Sequence, residues 1–293
     1  MPIQTKMSRE MVSVVFRFEL TGFFLTWVII GLPVTLAIAR ARHIPLTYPI
    51  APDHKLLLLI PFYGLAPVAV ELHRRYGSGA TWADYGAGWS FTLMLGAVLG
   101  FGLGLLGVIA LVGGQLALGW QQWRGPKLPQ APGTTSPAWG IVLALLPLTL
   151  FIGWVEELIF RGVLVQGLRP LLPWLAMAVV VSAVFALSHL LWDGPAGVPQ
   201  LPGLALMGAV LLVARWVNGG SLGIPWGLHA GWIFAIALVD TLNLVTPAPT
   251  APVWWVGKPD QPLTGGAALA LLAITGLGLW GVSQIGWRSP GLG

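Results

Sequence analysis

Long apolar runs dominate the pattern along the chain, and polar residues are confined mainly to the short segments between them. An apolar helix needs about 20 residues to cross the hydrocarbon core of a bilayer. The runs close to or beyond this length are 20–39, 56–70 (short and interrupted by proline), 91–118, 139–155, 173–192, 202–217, 222–245 and 267–285. The first run is too long for the apolar region of a signal peptide, so it predicts a retained anchor. The pattern therefore predicts an all-α, polytopic integral membrane helix bundle, a single domain over residues 1–293 with about eight transmembrane helices.

Composition supports a membrane protein and excludes several other classes. Hydrophobic residues make up 56% of the chain and charged residues only 9%, whereas a soluble domain carries charge on roughly a quarter of its residues. The 15 Lys and Arg are scattered between apolar runs, which is typical of topology control and lipid headgroup contact and does not indicate a nucleic-acid partner. The absence of cysteine from the sequence excludes a cysteine nucleophile and a thiolate zinc site.

Three charged residues follow directly on an unbroken apolar run. Ionisable side chains inside a span cost about 2.5–3.5 kcal/mol each on insertion scales, so they are retained where they are paired, hydrated or needed for function. Glu157 and Arg161 are four residues apart and share a helix face, which predicts an ion pair. Glu156 points about 100° away from Glu157 and is free for another task. The alternative is a helix end that reaches the headgroups, with both glutamates solvated.

Two histidines are also embedded in apolar runs. His189 lies near the end of the fifth run, four residues after Phe185, and His229 lies early in the seventh. A single histidine on an apolar helix is more often a packed core residue than a functional one, but two of them together with Glu156 form a set. The other three histidines sit beside loop charges and are expected to be solvated: His43, His54 and His73.

Two imidazoles and a carboxylate on three helices can perform hydrolysis. A buried carboxylate next to a histidine can hold and deprotonate a water molecule. The second histidine can stabilise an oxyanion or protonate the leaving amine. The same groups, Glu156, His189 and His229, would also suit a divalent metal such as zinc, because two histidines and one glutamate form a hydrolytic zinc set. The spacing does not choose between the two, and no other cofactor is indicated.

The order and spacing of these residues resemble a known family. Glu-Glu-x-x-x-Arg at 156–161, Phe-x-x-x-His at 185–189 and a final histidine at 229 are similar to the pattern of CPBP intramembrane proteases, which include type II CAAX prenyl endopeptidases and bacteriocin-immunity-like proteins. The resemblance covers a CPBP-like catalytic core at 139–245, and residues 1–138 are less specific. It implies that Glu156 and His189 activate the water, that Glu157 and Arg161 support them, and that His229 faces the oxyanion.

The resemblance also implies the substrates and the partners. It predicts an intramembrane endopeptidase that acts on membrane-bound or lipidated polypeptides, surrounded by membrane lipids. The family usually has asparagine at the place of Ile233, and loss of one oxyanion donor costs on the order of 10²–10³ in rate. Ile233 thus favours an alternative, a non-catalytic CPBP-like protein that binds, protects or assembles other membrane proteins. A proton-coupled transporter with a Glu–His path is a third interpretation.

Further motifs point to structure rather than chemistry. The G-x-S-x-G at 219–223 lacks the preceding strand that a nucleophile elbow requires and is interpreted as a short loop into the seventh run. Gly96, Gly100 and Gly104 have small-xxx-small spacing, which predicts close helix packing. Asp240, 11 residues after His229, is assigned a structural or entrance role.

Overall fold

The computed structural model describes residues 9–48, 50, 52–126, 138–258 and 261–285, and these residues are almost entirely helical. In chain order the elements are α1 (Arg9–Ala41), α2 (Pro52–His73), α3 (Phe91–Ala117), β1 (Gln121–Trp123), α4 (Ala138–Glu156), α5 (Val165–Leu168), α6 (Trp174–Ser188), α7 (Leu190–Asp193), α8 (Leu201–Val217), α9 (Gly223–Thr241), β2 (Val245–Pro247), α10 (Val253–Val256) and α11 (Gly266–Ile285). The predicted all-α fold class is confirmed.

The helices are long and apolar enough for a multi-pass membrane protein. Within the described residues, seven helical stretches satisfy the length and hydropathy of a membrane span. The fifth, Trp174–Val217, is 44 residues long and contains both α6 and α8, which pack against each other. A Cβ placed on Gly208 of α8 would lie 3.0 Å from the Cα of Ser182 in α6, so the chain folds back between the two helices. The expectation of about eight apolar helices in an integral membrane bundle is therefore confirmed.

Helices α3 and α9 pack with their backbones in contact. The glycines that form this contact are Gly96, Gly100 and Gly104 of α3 and Gly223, Gly227 and Gly231 of α9. A Cβ on Gly100 would lie 2.3 Å from the carbonyl oxygen of Ile224, and one on Gly227 would lie 1.9 Å from that of Ala97. Such an approach is available only to glycine, and it confirms the packing predicted from the spacing. It fixes α9 against α3.

Two short strands join the ends of the same two helices. Strand β1 follows α3 and pairs antiparallel with β2, which follows α9. At the other end, the loop 219–223 leads directly into α9, and Ser221 Oγ accepts a hydrogen bond of 3.2 Å from the amide of Gly223. The interpretation of this G-x-S-x-G as a loop is confirmed. Both ends of α9 are thus held in place.

Helix α4 runs on into a π-helical segment, Glu157–Leu164, and then into α5. All eight residues of the π-helical segment are buried. The apolar run predicts a helix that ends at Val155, but the continuous helical stretch extends to Leu168. π-Helical segments are rare and occur frequently at functional sites. Here the widened turn begins at Glu157, directly after Glu156.

Helix α2 is longer than its apolar run indicates. It spans Pro52–His73 and contains Pro61 and Pro67. The indole Nε1 of Trp27 in α1 donates a 3.0 Å hydrogen bond to the carbonyl oxygen of Phe62 in α2. Helix α2 also contacts α4. The α1–α2 pair therefore lies beside the helix that carries the paired glutamates.

Candidate active site

The three groups that the sequence selects lie around one cavity. Glu156, His189 and His229 all line a cavity of about 670 Å³. Glu156 is the last residue of α4, His189 follows the last residue of α6, and His229 lies in the second turn of α9. The structure thus brings together three ionisable residues that are far apart along the chain.

His229 lies between the two glutamates. Its Nδ1 is 2.8 Å from Oε1 of Glu157, and its Nε2 is 3.6 Å from Oε2 of Glu156. The ring is 1% exposed. The Glu157 carboxylate, which is paired with Arg161, accepts this hydrogen bond, and Nδ1 of His229 donates it. This bond fixes the ring so that Nε2 faces Glu156.

Glu157 and Arg161 form a fully buried ion pair. Nη1 of Arg161 donates to Oε1 of Glu157 at 2.8 Å, and Nη2 donates to the carbonyl oxygen of Gly208 at 3.1 Å. The guanidinium carbon also lies 4.3 Å from the centroid of the Phe185 ring. The ion pair predicted from the spacing is present. The alternative of solvated glutamates at a helix end is wrong, since Glu156 is 6% and Glu157 0% exposed.

His189 is oriented by the backbone of its own helix. Its Nδ1 lies 2.9 Å from the carbonyl oxygen of Phe185. A carbonyl oxygen only accepts, so Nδ1 carries the proton in the neutral ring and Nε2 keeps its lone pair. The Phe185 ring meets His189 edge-on at 4.8 Å and His229 at 5.8 Å between centroids. Phe185 therefore holds both imidazoles in position.

One polar contact of the site comes from a residue that the sequence did not single out. The hydroxyl of Tyr63 in α2 donates a hydrogen bond to Oε1 of Glu156. Oε2 of Glu156 has no hydrogen-bond partner among the described residues. The signal for Tyr63 was its hydroxyl within an apolar run, because a polar group in lipid must find a partner inside the protein.

The remaining lining of the cavity bears on the other predicted residues. Ile233 lines it one helical turn after His229, so no side-chain donor occupies that place. Asp240 and Asn243 also line it. Asp240 lies about 16 Å along the axis of α9 from His229, and Asn243 follows the end of that helix. Lys55 and Asp193, which form an ion pair, are a further part of its wall. The structural or entrance role assigned to Asp240 stays a prediction.

The three histidines that are expected to be solvated lie outside the described lining of the cavity. His43 is exposed and His54 is half-buried. His73 is half-buried as well, with its ring edge-on to Phe23 at 5.7 Å between centroids. Both half-buried histidines lie in α2, which extends beyond its apolar run at each end.

The donor set for a metal ion is not assembled. Among the described residues, no three His, Asp or Glu side chains are grouped so that they could hold a metal. This includes the set considered from the sequence, Glu156, His189 and His229.

Comparison with known proteins identifies a family-model match over this part of the chain. Residues 138–235 match the model described as type II CAAX prenyl endopeptidase Rce1-like. The matched segment begins with α4 and ends within α9, and it contains Glu156, His189 and His229. No curated protein matches the chain.

Proposed function

We propose that this protein is an intramembrane endopeptidase of the CPBP type that uses a Glu/His-activated water, since residues 138–235 match the family model described as type II CAAX prenyl endopeptidase Rce1-like. Its substrates are membrane-bound or lipidated polypeptides. The catalytic core comprises residues 139–245, and residues 1–138 add spans around it. The observation that carries the proposal is the position of His229 between the two glutamates, at a cavity that also exposes His189.

Glu156 and His189 activate the water in this mechanism. Oε2 of Glu156 has no partner among the described residues, and Nε2 of His189 keeps a lone pair. A water bound between them would lose its proton to one of these groups as it attacks the carbonyl carbon of the scissile peptide bond. The same group would then give that proton to the leaving amine nitrogen as the C–N bond breaks. General base catalysis of this kind contributes about 10²–10⁴ in rate.

His229 stabilises the oxyanion. Its Nδ1 donates to Glu157, and its Nε2 is directed towards the reacting centre beside Glu156, where a proton on Nε2 would donate to the oxyanion. Arg161 pairs with Glu157 and neutralises its charge. Glu157 in turn holds the His229 ring through its hydrogen bond to Nδ1. Ile233 offers no second side-chain donor at this end of the cavity, so His229 is the proposed oxyanion donor.

Cleavage by the purified protein in liposomes tests the proposal. Lipidated and single-span polypeptides are offered, and the products are identified by mass spectrometry. We expect Glu156→Gln and His189→Ala to lower the rate by at least about 10². Glu71→Gln is the matched control, since Glu71 pairs with Arg74 and Arg75 and does not line the described cavity. Cleavage by Glu156→Gln at the wild-type rate would show that the proposed roles are wrong.

A complementation assay separates this proposal from the non-catalytic alternative. If a deletion strain is fully rescued by Glu156→Gln, binding rather than cleavage is the function of the protein. Loss of rescue by Glu156→Gln, with rescue retained by Glu71→Gln, supports proteolysis.

A further inference from the structure

The α1–α2 pair lies outside the matched family domain, yet it contacts the active site. Tyr63 of α2 donates a hydrogen bond to Oε1 of Glu156, and the pair of residues is 93 positions apart in the sequence. Tyr63 is 7% exposed and Glu156 6% exposed. The contact is therefore a buried, charge-assisted hydrogen bond across two helices.

This bond determines which oxygen of Glu156 is available. A carboxylate has two equivalent oxygens, and rotation about its last bond exchanges them. With Oε1 held by the Tyr63 hydroxyl, Oε2 is left without a partner among the described residues and faces Nε2 of His229 at 3.6 Å. Hydrogen bonds to charged groups are about twice as strong as neutral ones. The phenol thus fixes the carboxylate in one orientation.

The position of Tyr63 is itself set by its neighbour. The ring of Phe62 lies 4.6 Å from that of Trp27 in α1 and meets Trp192 edge-on at 6.2 Å between centroids. Gly31 permits this packing, since a Cβ there would lie 2.7 Å from the Phe62 ring. Trp192 lies three residues after His189. The same part of α2 therefore contacts both the Glu156 side chain and the turn that carries His189.

We infer that Tyr63 is a positioning residue for hydrolysis: it holds the Glu156 carboxylate so that Oε2 faces the water and the substrate carbonyl. The inference rests on the proposed function. Tyr63 does not belong to the described lining of the cavity, so it does not touch the substrate. Its effect is on the chemical step rather than on substrate binding.

Tyr63→Phe tests this role, because it removes one oxygen atom and keeps the ring. We expect kcat to fall by about 10- to 100-fold, the range of a lost hydrogen bond to a charged group, while KM changes by less than about twofold. Tyr85→Phe is the matched control. Tyr85 is 1% exposed, and its hydroxyl contacts the Ser78 hydroxyl at 2.9 Å, outside the described lining of the cavity. The kcat of Tyr85→Phe should therefore stay at the wild-type value.

The outcomes separate this inference from the proposed function. If the wild type cleaves and Tyr63→Phe has the wild-type kcat, Tyr63 has no positioning role but the proposed function stands. A fall in kcat shared equally by Tyr63→Phe and Tyr85→Phe would indicate general destabilisation and also overturn the role. If the wild type cleaves no lipidated or single-span polypeptide, the proposed function and this inference both fall.

Thermal unfolding in detergent gives a readout that does not depend on cleavage. Tyr63→Phe is compared in the wild-type and Glu156→Leu backgrounds. We expect it to lower the unfolding temperature in the first background and to have a much smaller effect in the second, because the acceptor is already absent. Tyr85→Phe should have the same effect in both. Equal effects of Tyr63→Phe in the two backgrounds would show that its hydroxyl does not act through Glu156.

Discussion

The backbone contact between α3 and α9 makes a sharp prediction about two glycines of one helix. A Cβ on Gly100 would lie 2.3 Å from the carbonyl oxygen of Ile224, whereas a Cβ on Gly102 meets nothing within 4 Å. Gly100→Ala and Gly102→Ala are therefore the same chemical change at two sites of α3 that differ only in the space available. The first must move α9, and the second need not move anything.

The expected difference in the free energy of unfolding follows from this geometry. A carbon–oxygen contact is comfortable at about 3.3–3.6 Å, so Gly100→Ala forces the two backbones apart by about 1 Å. Overpacking of this kind costs typically about 1–3 kcal/mol. The gain of up to about 1 kcal/mol in helix propensity from glycine to alanine is common to both variants and cancels. Gly100→Ala should thus be less stable than Gly102→Ala by about 1–3 kcal/mol.

The cleavage rate should report the same displacement of α9 from α3. Helix α9 carries His229, and an error of about 1 Å in the position of a catalytic group costs about 10²-fold in rate. We expect Gly100→Ala to lose up to about two orders of magnitude in cleavage rate and Gly102→Ala to keep the wild-type rate. Unfolding of the purified variants in one detergent measures stability, and the liposome assay measures rate. Equal stabilities, or a less stable Gly102→Ala, would refute the packing argument.

Three further predictions concern single residues. Arg161→Lys should destabilise the protein by about 1–3 kcal/mol in thermal unfolding, the cost of losing a hydrogen bond of a buried charged group, because an ammonium cannot reproduce the contacts to Gly208 and Phe185; an unchanged unfolding temperature would contradict it. Ile233→Asn should raise kcat about tenfold or more by adding an oxyanion donor at the cavity wall, and a lower kcat with unchanged folding would count against the assigned oxyanion position. Hydrogen bonds from Thr81 lower the pKa of Asp84. Its contribution to stability is therefore present above the unfolded pKa of about 3.9 and is lost as the pH falls through the lower folded pKa. The unfolding temperature of Asp84→Asn should lie below that of the wild type at neutral pH and approach it in acid, and a constant difference over this range would show the reasoning to be wrong.

Local spacing predicted those features that depend on one helix or on repeated contacts along it. The four-residue separation of Glu157 and Arg161 predicted their ion pair, and the four-residue spacing of Gly96, Gly100 and Gly104 predicted backbone contact. Tyr63 was missed because its partner lies 93 residues away. The hydroxyl in an apolar run indicated that some partner exists, but only the packing of α2 on α4 identifies it.

Hydropathy and residue spacing alone determined that the chain is a multi-pass helical membrane protein and that Glu156, His189 and His229 are the ionisable residues to examine. These conclusions follow from the length of apolar runs and from the cost of charge in lipid, which are properties of the chain in order. Tertiary structure decided that the three residues share one cavity, that the donor set for a metal is not assembled among the described residues, and that a π-helical turn begins at Glu157. Those features depend on the distances and angles between helices, and helices distant in sequence acquire them only when they pack.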